Sequence, residues 1–264
     1  MAGEDQFRLD GKVTIVTGGS ETIGRAIAHA YAARGAKVVI ASRTEANLKT
    51  VKAEIEAAGG VCEAIPTDVR DSASLATLVE RTVARFGRID VLVNNAGGPM
   101  ADDFKRAPLL ELEDGDIMGC LDLNVKSLIR ASALVVPHMN AQGGGTIINM
   151  GSMGGVGRGW GGWGPPHMTM YNVTKAAVIF LTKAMSTEFA PLVRVNCINP
   201  GFIDSRLIRI GRTQEQLDAV SNTVAVERFG QPEDVANAAV YLASDAAAWC
   251  DGTVLDVYGG AKWG

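Results

Sequence analysis

Tyr171 and Lys175 stand four residues apart in Tyr171-Asn172-Val173-Thr174-Lys175, a stretch that reads as helix. One helical turn puts the phenol and the ammonium on the same face. A cation beside a phenol favours the phenolate, so the pair predicts a tyrosine pKa lowered towards neutrality. A tyrosine tuned in that way can pass protons at physiological pH. The same spacing also occurs on plain surface helices, so the rest of the chain must decide what the pair does.

The elements that would position this pair alternate along the chain. Val13 to Thr17 is a β-branched run and reads as a buried strand. Gly18-Gly19-Ser20-Glu21-Thr22-Ile23-Gly24 follows, then an Ala-rich helix from about Arg25 to Ala33 and a second apolar strand over Lys37 to Ala41. This strand, glycine turn, helix and strand form a βαβ unit. Its turn collects backbone N–H groups and a helix N-terminus at one point, a place that binds phosphate. Helices are predicted over Glu45–Ala58, Ser72–Phe86 (with Ser72 as N-cap), Gly115–Met139, Tyr171–Ala190, Gln214–Ser221 and Glu233–Ser244. Strands are predicted over Val61–Pro66, Val91–Val93, Thr146–Met150, Val193–Ile198 and Thr253–Val257. About seven apolar strands separated by helices predict an α/β fold: a doubly wound parallel sheet of Rossmann type, covered on both faces and built as one domain over 1–264. Ligands of such sheets bind beyond the carboxyl ends of the strands.

Composition narrows the function classes. The net charge of −4 with mixed signs argues against a nucleic-acid surface. The apolar runs are too short to span a membrane. Met1 to Asp10 lacks the basic start and apolar core of a signal peptide, so the expected location is cytoplasmic. Cys62, Cys120, Cys197 and Cys250 sit singly in apolar contexts and read as buried free thiols, with no metal site.

Taken in order, the motifs resemble the short-chain dehydrogenase/reductase (SDR) family from about Gly11 to Gly260. Thr17-Gly18-x-x-x-Thr22-Ile23-Gly24 is similar to the family's cofactor turn, with Ser20 inside it. Asp68, followed by Val69, stands where the family contacts adenine. Asn94-Asn95-Ala96-Gly97 is the central-strand motif. Asn124, Ser152, Tyr171 and Lys175 match the catalytic tetrad, and Asn199-Pro200-Gly201 and Val257-Tyr258-Gly259-Gly260 match the last landmarks, with Tyr258 replacing an aspartate. The resemblance implies an oxidoreductase that interconverts a ketone and a secondary alcohol by hydride transfer. It implies Tyr171 as general acid and base, Lys175 lowering its pKa and holding the nicotinamide ribose, Ser152 orienting the substrate oxygen, and Asn124 holding a water. Pro200, Gly201, Ile203 and Ser205 would line the nicotinamide end, and a homotetramer is implied. The bland alternative for Asn124 is a polar residue satisfying a kinked helix.

Three departures stand out. Thr22 replaces a glycine at a position that favours positive φ; it either crowds the phosphates or compensates through its hydroxyl. Ala41-Ser42-Arg43 ends the second strand where an acidic residue would select NAD(H), so Ser42 and Arg43 favour NADP(H) over NAD(H), against a mild contrary signal from Glu21. The stretch between Ser152 and Tyr171 is long and holds Trp160, Trp163 and His167. The tryptophans would wall a hydrophobic substrate or pack on a neighbouring subunit. Substrate loops are expected at about 98–114, 154–167 and 202–223. Competing readings are an NAD(H)-dependent dehydrogenase of a hydroxysteroid, diol or sugar alcohol, and an inert dinucleotide-binding sensor.

Overall fold

The computed structural model describes residues 5–157 and 167–260. Seven strands form one parallel sheet: β1 Val13–Thr17, β2 Lys37–Ser42, β3 Val61–Pro66, β4 Val91–Asn94, β5 Gly145–Met150, β6 Val193–Pro200 and β7 Val254–Val257. Their order is β3-β2-β1-β4-β5-β6-β7. The order reverses direction between β1 and β4, which opens a crevice at the carboxyl edge there.

Alternation along the strands sends side chains to two separate cores. Val16, Val38, Ile40, Val93, Ile148 and Ile198 meet α1 (Thr22–Ala33), α2 (Glu45–Ala57) and α9 (Pro232–Ala243) on one face. Ile15, Val39, Leu92, Ile147 and Val195 meet α3 (Ser72–Phe86), α5 (Ser127–Ala141) and α6 (Thr169–Phe189) on the other. Burial on both faces explains why these strands are nearly uninterrupted apolar runs. The buried Tyr31 hydroxyl donates to the Ala239 carbonyl at 3.0 Å and ties α1 to α9.

Several expectations change in detail. Asp71, rather than Ser72, caps α3: its carboxylate accepts from the N–H groups of Ala73 and Ser74, both at 3.1 Å. The long helix foreseen over Gly115–Met139 is α4 (Asp114–Leu121), a π-helical stretch over Asp122–Lys126, and α5. A short α7 (Arg206–Arg209) precedes α8 (Gln214–Ser221) in the segment after β6. Cys62, Cys120 and Cys197 are buried free thiols, whereas Cys250 is half-buried. Among the described residues no helix is long and apolar enough to cross a membrane.

Candidate active site

The glycine turn after β1 is locked from below. Thr17 Oγ1 accepts from the Asn95 and Ala96 N–H groups at 3.0 and 3.1 Å and donates to the Val93 carbonyl at 3.2 Å. The Asn95 amide donates back to the carbonyls of Thr17 and Gly18, at 2.9 and 3.2 Å. Gly18 has φ 65°, and a Cβ on Gly24 would lie 2.1 Å from the Gly18 carbonyl oxygen. Both glycines are therefore required by the turn's own packing. Thr22 sits at φ 42°, so the β-branched residue adopts the left-handed backbone that its place demands. It opens α1, whose N-cap Glu21 makes no side-chain cap and whose first turn holds no acidic residue. The first N–H groups of α1 thus face the cleft without a side-chain acceptor. Glu21 instead accepts from the Asn47 amide at 2.7 Å.

The tetrad assembles at the ends of β4 and β5. Gly154 and Gly155 let the turn after Ser152 press onto α6: a Cβ on Gly155 would meet the Lys175 backbone at 2.7 Å. That approach sets the Ser152 hydroxyl beside the Tyr171 phenol, near enough to favour the phenolate. Ser152 Oγ also accepts from the Gly154 N–H at 3.1 Å, which leaves its own proton for the cleft. Lys175 is buried, 4 % exposed, and its ammonium donates to the Met150 carbonyl at 2.8 Å. Asn124 lies in the π-helical stretch, accepts from the Gly98 N–H at 3.0 Å, and donates to the carbonyls of Gly98 and Cys120 at 2.9 and 3.0 Å. The extra residue in that turn lets its side chain reach the loop after β4. A Cβ on Gly97 would meet Asn124 Oδ1 at 2.7 Å and Lys175 Nζ at 3.3 Å, which places those two groups around one backbone point.

The expected fall in the tyrosine pKa is overturned. Burial dominates and pushes Tyr171 up to about 12, although the Ser152 hydrogen bond opposes the rise. Lys175 lies over the ring, 5.5 Å from its centroid, and burial lowers its own pKa to about 8. Spacing puts the two groups on one helix face, but burial there raises the phenol and lowers the ammonium.

A cleft of about 630 Å³ runs along this edge. Its lining includes Gly18, Ser20, Thr22, Ile23, Gly24, Ser42, Arg43, Asp68, Val69, Asn95, Ala96 and Gly97. Ser152, Tyr171, Lys175, Pro200, Gly201, Ile203 and Ser205 line it too. Asn124 instead lines a separate cavity of about 10 Å³ shared with Asn94 and Lys175. His167 is exposed, at φ 64°, and is not among the cleft residues. Trp160 and Trp163 lie outside the described residues. The cleft also holds Arg70, Met153 and Met168, which sequence reasoning missed, and Met100, Arg106 and Arg212, which lie in the substrate loops it expected but were not singled out. They carry no motif; their position after strand ends was the available signal.

The family model described as Enoyl-(Acyl carrier protein) reductase matches residues 18–262. The chain is 35 % identical over 269 residues to the 7alpha-hydroxysteroid dehydrogenase of Escherichia coli, with 98 % of both chains covered. It is 34 % identical to the 3-oxoacyl-[acyl-carrier-protein] reductase FabG of Thermotoga maritima, with 96 % of this chain and 99 % of that one covered. A solved structure of 7 alpha-hydroxysteroid dehydrogenase complexed with NADH and 7-oxo glycochenodeoxycholic acid superposes with a TM-score of 0.91 at 34 % identity. That match covers 99 % of this chain and 98 % of the other. The chain belongs to the short-chain dehydrogenase/reductase family. It is an SDR oxidoreductase acting between carbonyl and alcohol.

The SDR cleft of this chain fits a nicotinamide dinucleotide. The open N-terminus of α1 suits the pyrophosphate. The Ser20 and Ser42 hydroxyls, 2.9 Å apart, and the Arg43 guanidinium stand at the ends of the turn and β2, where the adenosine ribose of this fold lies. Arg43 lies 3.7 Å from the exposed Asp102, and Arg70 pairs with Asp103 through two contacts of 2.8 and 2.7 Å. The loop after β4 is thereby tied to the ends of β2 and β3. Among the described residues, no group of three or more His, Cys, Asp or Glu could hold a metal ion.

Proposed function

We propose that this SDR is an NADP(H)-dependent carbonyl reductase or secondary-alcohol dehydrogenase in which Tyr171 moves the proton. The observation that carries the reading is that Ser152, Tyr171 and Lys175 line one cleft, with Lys175 buried behind the other two. When bound, the nicotinamide supplies or accepts the hydride. Ser152, its oxygen held by the Gly154 N–H, donates to the substrate oxygen and orients it. Tyr171, kept protonated by burial, delivers its proton to that oxygen in reduction and is left as the phenolate; oxidation of an alcohol is the reverse step, in which that phenolate takes the hydroxyl proton. Lys175, anchored on the Met150 carbonyl, presents the rest of its donors to the cofactor ribose. The cavity shared by Asn94, Asn124 and Lys175 has the size and polar lining for one water, and we assign Asn124 the role of holding it.

Ser42 and Arg43 support NADP(H): neither residue at the end of β2 is itself a carboxylate that would repel a 2′-phosphate. Two features favour NAD(H) as the second reading. Glu21 faces the same cleft, and the hydroxysteroid dehydrogenase with a TM-score of 0.91 was solved with NADH. Met100, Met153, Met168, Phe202 and Ile208 give the cleft apolar walls, which support a substrate with an apolar body. The exposed apolar side chains Met118, Ile129, Val173 and Phe180 on α4, α5 and α6 support assembly of identical subunits, in line with a homotetramer.

Titration of both reduced cofactors, followed by a ketone panel with each, tests the reading. Tyr171→Phe should lower kcat by roughly 10³-fold while the cofactor Kd stays within a few-fold. A kcat within tenfold of wild type would refute the proton role. Turnover with neither cofactor would favour the inert sensor.

A further inference from the structure

Asn199 is the penultimate residue of β6, just before Pro200, and is fully buried. Its amide is used at both ends. Oδ1 accepts from the Ser152 N–H at 3.1 Å, and Nδ2 donates to Asp256 Oδ1 at 3.0 Å. Asp256 is the residue of β7 directly beside Asn199 in the ladder. The orientation of the amide is decided by chemistry: an ionised carboxylate only accepts, so Nδ2 must face Asp256 and the oxygen must face Ser152. Cys197 Sγ adds a weak contact to the same oxygen at 3.6 Å.

The oxygen takes over where the sheet stops. The Gly151 N–H still bonds the Ile198 carbonyl at 2.8 Å, the last ladder bond of β5 on β6. Ser152 lies two residues past the end of β5, beyond the ladder, and its N–H is served by Asn199 Oδ1. A Cβ on residue 151 would lie 2.0 Å from that oxygen, so glycine is what admits the side chain. Ser152 is therefore held at three points: its N–H by Asn199, its carbonyl by the Gly155 N–H at 2.9 Å, and its hydroxyl by the Gly154 N–H at 3.1 Å. Two of these lie within its own turn; Asn199 supplies the one that ties the turn to the sheet.

We infer that Asn199, with its amide oriented by Asp256, is a positioning residue that sets Ser152 against Tyr171. The inference rests on the role proposed for Ser152. A displacement of about 1 Å at a reacting group can cost as much as about 100-fold in rate. Asn199→Leu keeps the volume and leaves the Ser152 N–H without its acceptor. Its kcat falls between about tenfold and about 100-fold, while the Kd of the reduced cofactor, measured by fluorescence titration, changes less than threefold. Asn199→Asp sets two carboxylates against each other and loses activity in the same way. The double variant Asn199→Asp/Asp256→Asn reverses donor and acceptor across β6 and β7, keeps an oxygen facing Ser152, and recovers kcat to within about threefold of wild type.

Activity is compared at 25 °C per mole of folded enzyme, with folding checked by circular dichroism, so a merely structural role would move the melting temperature and leave kcat in place. Ser152→Ala decides the serine separately. In that background Asn199→Leu should add less than about twofold, since its effect passes through Ser152. A full additional loss there would overturn the inference, as would Asn199→Leu with kcat within twofold of wild type, or a double variant no better than Asn199→Asp. Ser152→Ala at wild-type rate would instead sink the serine's role itself, and the positioning of it with it.

Discussion

Lys175→Met should stabilise the nucleotide-free protein while abolishing turnover. Lys175 is 4 % exposed, and burial lowers its pKa from an ordinary 10.5 to about 8. At about 1.4 kcal/mol per pH unit, holding the ammonium there below pH 8 costs roughly 3 kcal/mol. The sign follows from proton binding. Between pH 8 and 10.5 the unfolded chain holds a proton on this lysine that the folded protein has released, so stability rises with pH across that window and the full cost is present below it. Methionine keeps the unbranched stem without the charge. It also strips the Met150 carbonyl of its 2.8 Å donor, a loss of roughly 1 kcal/mol. The net gain at pH 7 is about 1–2 kcal/mol, or about 3–6 °C in melting temperature for a domain of this size. Calorimetry at pH 7 and pH 10 on both proteins is the assay. The wild type should gain on the variant as pH rises from 8 to 10.5. A variant that melts below wild type at pH 7, or two proteins with the same pH dependence, would refute the reasoning.

Arg43→Ala should raise the KM for NADPH by roughly tenfold or more, the scale of a charged hydrogen bond, and leave that for NADH nearly unchanged; equal shifts would remove Arg43 from cofactor selection. Thr22→Gly relieves a residue at φ 42°, worth about 1–2 kcal/mol, against about 0.5–1 kcal/mol of added chain entropy. The variant should melt slightly higher. A large gain in cofactor affinity would mean that threonine crowds the phosphates, and a loss that its hydroxyl binds them. Asp71→Ala removes the two N–H contacts that open α3, so it should cost about 1 kcal/mol in urea unfolding with kcat unchanged.

Much of the scaffold could be read because its physics is local. β1, buried at every residue, is an apolar run and was bounded correctly residue by residue; the edge strand β3 and α8 were too. Helix boundaries were less legible where two good caps stand side by side. Asp71 and Ser72 have equal claims by type, and the path of the chain from β3 into α3 gives the position to Asp71. The π-helical stretch at Asp122–Lys126 had no signature, because what supports it is a contact between Asn124 and the Gly98 backbone 26 residues earlier. Arg106 and Arg212 fall in loops expected to line the pocket, but an arginine in a loop reads as a solvated one, so neither was singled out.

By itself the sequence determined which residues could do chemistry and in what order they occur. Residue type, helical spacing and glycine placement are properties of neighbours along the chain. Only the tertiary structure decided how those groups are tuned and held. Burial sets the Tyr171 pKa above its ordinary value rather than below it, and burial is a sum over elements far apart in sequence. The hold of Asp256 and Asn199 on Ser152 joins three neighbouring strands that a linear reading keeps about 50 residues or more apart.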